Sequence, residues 1–373
     1  MKQIELEINS NRQGYKIMVG ENILSKIGPE LNKFDLGPQA VILADPNVLP
    51  LYGRQVQESL SSSGFQVELV SVPCTSRDLK SIESCVFLYD RLWEIGADRN
   101  SVLLVLGGGV TSDTVGFVAS TYMRGLPVVH LPTTLLSQVD SSIGGKTGIH
   151  YKGVSNLIGT YYQPILVMAD LNTLSTLPPI EFRSGLAELV KTLFISDKPV
   201  SESIRGETEE SIRLRLPELV PICCQIKASV VQQDECEKNK RRWILNYGHT
   251  IGQAIESASH YSYTHGEAVA IGMIGASYVG ESLGITSPDL TRFQAQILRD
   301  LSLPDRLTPK HFEQKGLDAL VKEITFLVTK DKKANRGNPN FIVLDNIGSP
   351  RLARQVPLEV VERAVYRLFE PTI

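Results

Sequence analysis

The sequence predicts an α/β protein: an N-terminal parallel-sheet domain over residues 1–178, followed by an α-helical domain over residues 179–373. Three observations predict it. Short apolar runs that end in turn residues recur through the first half, as AVILADPN, FQVELVSVP, SVLLVLGGG, LPVVHLPTT and PILVMADLN. Stretches of helical period such as DLKSIESCVFLYDRLWEIG lie between several of them, and strands alternating with helices build a parallel sheet. After STLPP the pattern turns mostly helical. The first half is therefore expected to be Rossmann-like, with a cleft between it and the helical half.

The elements follow in order. MKQIELEINSNRQ alternates as a strand does and lacks the apolar block of a signal peptide. AVILADPN ends in Asp45 and Asn47, polar groups at the sheet edge suited to a ribose or an adenine. SVLLVL is a buried strand that runs directly into Gly107, Gly108 and Gly109, with Asp113 four residues later. The missing Cβ atoms let backbone N–H groups reach a pyrophosphate, although the same turn also suits a tight strand-to-helix connection that binds nothing. LPVVHLPTTLLSQVD adds Thr133 and Thr134 at a third strand end. Three strand ends of matching chemistry favour a nucleotide.

The second half reads as the helices EFRSGLAELVKTLFIS, LVPICCQIKASVVQQ, GHTIGQAIESA and GEAVAIGMIGASYVGESLG, then a short strand, FIVLD, and a terminal amphipathic helix, LEVVERAVYRLF. GLAELVK puts Glu188 and Lys191 three apart, hence on one helix face. NYGHTIGQAIE sets His249 after a glycine at a helix start, with Gln253 one turn on, and YTHGEAV sets His265 at another. One carboxylate and two imidazoles suit zinc and leave a coordination position for substrate. Taken singly, each histidine also suits capping or packing, and no His-Glu-x-x-His spacing helps, so the residues alone leave the metal open. Around them Lys227, Glu237, Arg242 and Asn246 form a dense polar group in otherwise apolar helices.

Composition sets the remaining bounds. The chain has 373 residues, enough for two cores, with 42% hydrophobic and 21% charged residues. A formal net charge of −3 gives no electrostatic reason to expect nucleic acid. No apolar run approaches the ~18 residues of a membrane span. Five cysteines, Cys74, Cys85, Cys223, Cys224 and Cys236, are odd in number and lack Cys-x-x-Cys spacing, which reads as reduced thiols in a cytoplasm.

At this point the residues carry a resemblance. The stretch TYMRGLPVVHLPTTLLSQVDSSIGGKTGIHYKGVSNLIGTYYQP resembles the core of 3-dehydroquinate synthase and its sugar phosphate cyclase relatives. LPPIEFRSGLAELVK, LNYGHTIGQAIE and HGEAVAIGM continue it in order, and the likeness runs from ADPN to TKDKK. It implies an active site in the cleft between the domains, a bound NAD regenerated within each turnover, and a divalent metal, zinc or cobalt in its place. The implied reaction turns 3-deoxy-arabino-heptulosonate 7-phosphate into 3-dehydroquinate and phosphate, a step of the shikimate pathway to aromatic amino acids. It also implies a cytoplasmic homodimer without nucleic-acid or membrane partners.

By matching position, Glu188, His249 and His265 resemble the metal ligands. Asp45, Asn47, Lys80, Gly107, Gly108, Gly109, Asp113, Thr133, Thr134, Lys146 and the segment from Thr173 to Thr176 fall where the family holds NAD. Arg124, Asp140, Asn156, Lys191, Lys227, Arg242, Asn246 and Lys332 fall where it holds substrate, and Gln253 stands on the phosphate side.

The sequence also departs from the family pattern. Gly-Glu-x-x-Lys reads SRDLK, with Arg77 at the glutamate's place and one extra residue upstream. Val-Gly-Asp reads TSD, with Ser112 for a glycine, and Gly-Lys-Asn reads VSN, with Ser155 for a lysine. The second histidine of Gly-His-x-x-Gly-His is Gln253, and the loop from Glu237 to Arg242 is one residue longer. A cyclase making an aminodehydroquinate or a deoxy-inosose is one rival, though Asn246 argues against the deoxy-inosose type, which carries glutamate there. A glycerol-dehydrogenase-like enzyme and a non-catalytic ligand-binding paralogue are the others.

Overall fold

The computed structural model describes residues 3–8, 14–73, 77–152, 154–196, 198–312, 315–330 and 338–371. Two compact units divide them: residues 1–178 with 217–236, and residues 179–216 with 237–373.

The first unit carries β1 (Ile4–Ile8), β2 (Tyr15–Gly20), α1 (Ile27–Leu31), β3 (Gln39–Ala44), α2 (Arg54–Ser62), β4 (Gln66–Ser71), α3 (Ile82–Glu94), β5 (Val102–Gly107), α4 (Gly109–Thr121), β6 (Val128–Pro132), β7 (Lys146–Tyr151), β8 (Val154–Tyr161) and β9 (Leu166–Asp170). Seven strands form one sheet in the order β1-β2-β9-β6-β5-β3-β4, all parallel except the β1–β2 pair. The continuous apolar run of β5 has a direct cause. Val102, Leu104 and Leu106 enter the layer formed with Ile27, Leu31, Val56 and Leu60, while Leu103 and Val105 enter the opposite layer with Leu88, Leu92, Val115 and Val118. Alternate residues point to opposite faces, and both faces are covered by helices, so no polar residue is tolerated along the strand.

This strand order places the ligand-binding edge. From β3 the chain moves outward to β4, then returns to β5 and proceeds the other way through β6 and β9. Loops leaving β3 and β5 diverge at that reversal, which opens a crevice at the strands' carboxyl ends. Asp45 follows β3 and the glycine run ends β5. Their backbones are joined there by Asp45 N–H donating to the Leu106 carbonyl at 3.0 Å. The β7–β8 antiparallel hairpin is a feature that the strand reading did not include.

The second unit carries α5 (Pro179–Ser196), α6 (Lys198–Ser203), the start of α7 (Glu209–Gln233), α8 (His249–Ala258), α9 (His265–Ser282), α10 (Pro288–Asp300), α11 (Leu317–Thr329), the hairpin β10 (Phe341–Asn346) with β11 (Ser349–Ala353), and α12 (Leu358–Arg367). Helix α9 is buried from Ala268 to Gly280, and two of its glycines set how closely its neighbours approach. A Cβ on Gly272 would lie 2.0 Å from the Gly248 carbonyl oxygen, and one on Gly266 would lie 2.3 Å from Ser184 Cα. Glycine is therefore required at both, and α5 and α8 are held against α9 at backbone distance. Among the described residues no helix is long and apolar enough to cross a membrane.

Candidate functional site

Three helices of the second unit bring Glu188, His249 and His265 together. Residues three apart on α5 put Glu188 and Lys191 side by side, with Nζ 2.5 Å from Oε2 and both side chains 1% exposed. His249 opens α8 directly after Gly248, whose φ of 79° turns the chain in a conformation that strains other residues. His265 opens α9 behind a capping box in which Thr264 and Glu267 exchange hydrogen bonds. His249 Nε2 then lies 3.5 Å and His265 Nε2 3.3 Å from Glu188 Oε1. One ligating atom from each residue falls within 4.8 Å of the other two.

The other ring nitrogens settle the orientation. His249 Nδ1 is 3.2 Å from the Tyr247 carbonyl, and His265 Nδ1 is 3.4 Å from Glu256 Oε1. A carbonyl and a carboxylate only accept, so each Nδ1 carries a hydrogen and each ring turns its Nε2 to Glu188, where a bound cation would take the place of a proton. Two ring nitrogens converging on a carboxylate need a proton or a cation between them. Burial by itself would raise Glu188, but Lys191, His249 and His265 hold it well below the usual carboxylate range. Burial pushes His249 down to about 4 despite Glu188. Burial opposes charge on His265 too, yet hydrogen bonds to Glu188 and Glu256 lift it to about 10. Apart from these ion contacts neither Glu188 oxygen has a hydrogen-bond partner, so the donor set fits a divalent cation.

The first unit supplies a different set. Gly108 is the N-cap of α4 and offers no side-chain cap, which leaves the first backbone N–H groups of a 13-residue helix facing the crevice end of β5. A Cβ on Gly109 would lie 2.7 Å from Ser141 Oγ, so only bare backbone fits. The buried hydroxyls of Ser112, Thr133 and Ser141 have no hydrogen-bond partner. Orphaned donors beside an uncapped helix start fit a dinucleotide's phosphates.

Asp45 Oδ1 accepts from Asn47 N–H at 2.8 Å, and burial raises its carboxyl against the hydrogen bonds from Asn47 and Val48. Lys80 Nζ lies 2.5 Å from Asp113 Oδ2 and 3.2 Å from Asn156 Oδ1, so one residue expected at NAD and one expected at substrate share a lysine itself expected at NAD. Thr134 Oγ1 accepts from Ser137 N–H, Thr173 Oγ1 donates to the Asp170 carbonyl, and Thr176 Oγ1 is 2.6 Å from the Tyr52 hydroxyl. Lys146 stands exposed at the start of β7.

The expected substrate residues spread over both units. In the first, Lys227 Nζ is 2.5 Å from Asp140 Oδ1 and 2.6 Å from the Asp140 carbonyl. Arg124 is exposed on a turn at φ 70°. In the second, Arg242 is buried at 2% exposure, and Asn246 Nδ2 donates to the Trp243 carbonyl at 3.1 Å. Gln253 lies exposed on α8. Lys332 lies outside the described residues.

Two positions that depart from the family pattern are neighbours: Arg77 Nη2 donates to Ser155 Oγ at 2.9 Å. Sequence reasoning missed Glu256 and His150, whose Nδ1 accepts from Asn156 N–H at 3.0 Å. For Glu256 a signal existed. It follows His249 by seven residues, two helical turns, and so shares its face.

The 3-dehydroquinate synthase N-terminal family model matches residues 71–184 and the 3-dehydroquinate synthase C-terminal model residues 185–334. A 3-dehydroquinate synthase of Desulforamulus reducens is 39% identical over 355 residues, covering 94% of this chain and 96% of the relative. Among solved structures, 2-deoxy-scyllo-inosose synthase complexed with carbaglucose-6-phosphate, NAD+ and Co2+ superposes with a TM-score of 0.86 at 25% identity, covering 98% of this chain and 100% of that one. The 2-epi-5-epi-valiolone synthase of Streptomyces hygroscopicus subsp. jinggangensis 5008, with NAD+ and Zn2+ bound, gives 0.83 at 26% identity, covering 95% and 96%.

Proposed function

This chain belongs to the 3-dehydroquinate synthase family, and from that premise we propose which of its residues serve the reaction. The protein is a phosphate-eliminating lyase that converts 3-deoxy-arabino-heptulosonate 7-phosphate into 3-dehydroquinate and phosphate. Its solved neighbours include synthases of 2-deoxy-scyllo-inosose and 2-epi-5-epi-valiolone, but the relatives of higher identity over almost the whole chain are dehydroquinate synthases.

One observation carries the assignment of the metal centre: two imidazoles turn their Nε2 atoms to one buried carboxylate, each with its Nδ1 beside an acceptor oxygen. Glu188, His249 and His265 would hold a divalent metal, zinc in our reading, with a position left open. When bound, NAD accepts and returns a hydride while the metal polarises the hydroxyl being oxidised, so that the neighbouring C–H becomes acidic enough for elimination.

The remaining work falls to the chain's own side chains. Lys191, held beside Glu188, keeps a positive charge where an alkoxide or carboxylate would approach. Arg242, Asn246 and Lys227 are our candidates for the substrate carboxylate, Arg242 offering a planar two-point fork. Arg124, Asn156, Lys332 and Gln253 are assigned to the phosphate. Asp140 orients the Lys227 ammonium through its carboxylate and its carbonyl.

Gly107, Gly108, Gly109, Thr133 and Thr134 are assigned to the pyrophosphate of NAD, and Asp45 and Asn47 to its adenosine. Lys80, Asp113, Lys146, Thr173 and Thr176 complete that set. A cytoplasmic homodimer is the expected form of the enzyme. The test is incubation with the heptulosonate phosphate, NAD and zinc, following phosphate release and the cyclic product. Stoichiometric NADH formation from a simple polyol without phosphate release would replace this reading by a dehydrogenase.

A further inference from the structure

We propose that Glu256 is a positioning residue that sets the ring of His265 for a metal ion. The proposal rests on the reading that Glu188, His249 and His265 hold that ion. Glu256 Oε1 lies 3.4 Å from His265 Nδ1, with its side chain 14% exposed. His265 is the first residue of α9 and its side chain keeps 34% of its exposure. Its ring packs edge-on against that of His249, with centroids 5.4 Å apart, and the acceptor on the Nδ1 side adds the contact that directs Nε2 toward Glu188.

The acceptor arrives from the neighbouring helix. His249 and Glu256 are seven residues apart on α8, so one face of α8 supplies both a ligand of the cluster and a brace for the ligand on α9. The α8–α9 approach that makes this reach possible depends on Gly272, which has no room for a side chain beneath the Gly248 carbonyl.

The two imidazoles are consequently unlike. His249 hydrogen-bonds a neutral carbonyl and His265 an anionic carboxylate. A carboxylate behind a metal-bound imidazole holds its tautomer and strengthens it as a donor, and loss of such a partner typically weakens metal binding about 10–100-fold.

The experiment measures zinc binding by chelator-stripped protein against a chromophoric chelator, with no substrate present. The proteins are the parent, Glu256→Gln, Glu256→Ala and the same two changes in a His265→Ala background. We expect Glu256→Ala to bind zinc about 10–100-fold more weakly and Glu256→Gln to fall between, because its amide oxygen still accepts from Nδ1–H. In the His265→Ala background neither change should cost anything further, since the brace has nothing to hold.

Melting temperatures of the metal-free proteins separate this from a merely structural role, which would lower them equally in both backgrounds. Zinc affinity within twofold of the parent in Glu256→Gln and Glu256→Ala, or an equal loss with and without His265, would overturn the proposal. Should the alanine variant fail to fold, the glutamine variant decides alone. A parent that holds no zinc overturns the metal centre itself, whereas a parent with a full equivalent and unaffected variants overturns only the role of Glu256.

Discussion

Arg77 Nη2 donates a 2.9 Å hydrogen bond to Ser155 Oγ, joining two positions where this sequence exchanges the family's acid and base for a base and a neutral hydroxyl. The pair keeps one positive charge at this place and moves it from one chain segment to the other. Lys80, three residues after Arg77, and Asn156, next to Ser155, form their own bonded group with Asp113, so the charge stands close in the chain to residues assigned to NAD.

Arg77→Glu should accordingly weaken NAD binding about three- to tenfold, the scale of one charge-assisted hydrogen bond. Adding Ser155→Lys should restore most of the loss, because the cation returns on the opposite segment. Calorimetric titration of NAD into the single and double variants reads the coupling, and a double variant no better than the product of the singles would show the two positions to be independent.

Zinc binding should strengthen with pH. His265 is lifted from 6.5 to about 10 in the metal-free fold, so below about 10 it carries a proton that the metal must displace. His249, at about 4, is already neutral over most of this range. Between about pH 6 and about pH 8 the affinity should thus rise roughly tenfold per pH unit, one proton released per ion bound. The same raised value stabilises the metal-free protein fully below about 6.5, and that contribution is lost as pH rises through about 10. A pH-independent affinity would mean that His265 binds as the neutral ring throughout.

Arg242→Ala should reduce kcat/KM for the heptulosonate phosphate by about 100-fold or more, and far less for an analogue lacking the carboxylate. A buried guanidinium lost from a two-point contact with a carboxylate costs roughly 3 kcal/mol, or about two powers of ten. Equal losses on both substrates would assign Arg242 to the fold or to another part of the substrate.

What could be read from the sequence follows from where each signal is stored. The strand SVLLVL was legible because both of its faces are covered, so every position had to be apolar. The helix start at His249 was legible through Gly248 and that at His265 in YTHGEAV, where the structure adds the Thr264–Glu267 capping box. The β7–β8 hairpin was not, because β8 is exposed along most of its length and so carries no apolar alternation. The pairing of Arg77 with Ser155 spans 78 positions in the chain, and that of Glu256 with His265 crosses from one helix to another. Helical spacing places Glu256 on the face of His249 but does not name His265 as its partner, and nothing periodic joins Arg77 to Ser155. Side-chain identity showed which chemistry was present, while the sheet order and the glycine contacts of α9 decided which groups met.

Gln253 gives the sharpest test of how this chain handles phosphate. It sits one turn after His249 on α8, exposed, and among the described residues its side chain makes no hydrogen bond. A glutamine amide there donates to a phosphate oxygen but carries no charge near neutral pH and moves no proton. Hydrogen bonds to charged groups contribute about 1.5–3 kcal/mol when charge-assisted, against about 0.5–1.5 kcal/mol for neutral ones. The difference, on the order of 1 kcal/mol, is worth roughly fivefold to tenfold in rate if the contact tightens in the transition state. Gln253→His should therefore raise kcat/KM for phosphate release by about that factor and give it a new dependence on pH near the ordinary imidazole value. Its position on an exposed face argues that the imidazole would titrate normally, without the burial that holds His249 near 4. An unchanged rate and pH profile would show that Gln253 serves only as a neutral contact and that the substrate phosphate carries its own proton away.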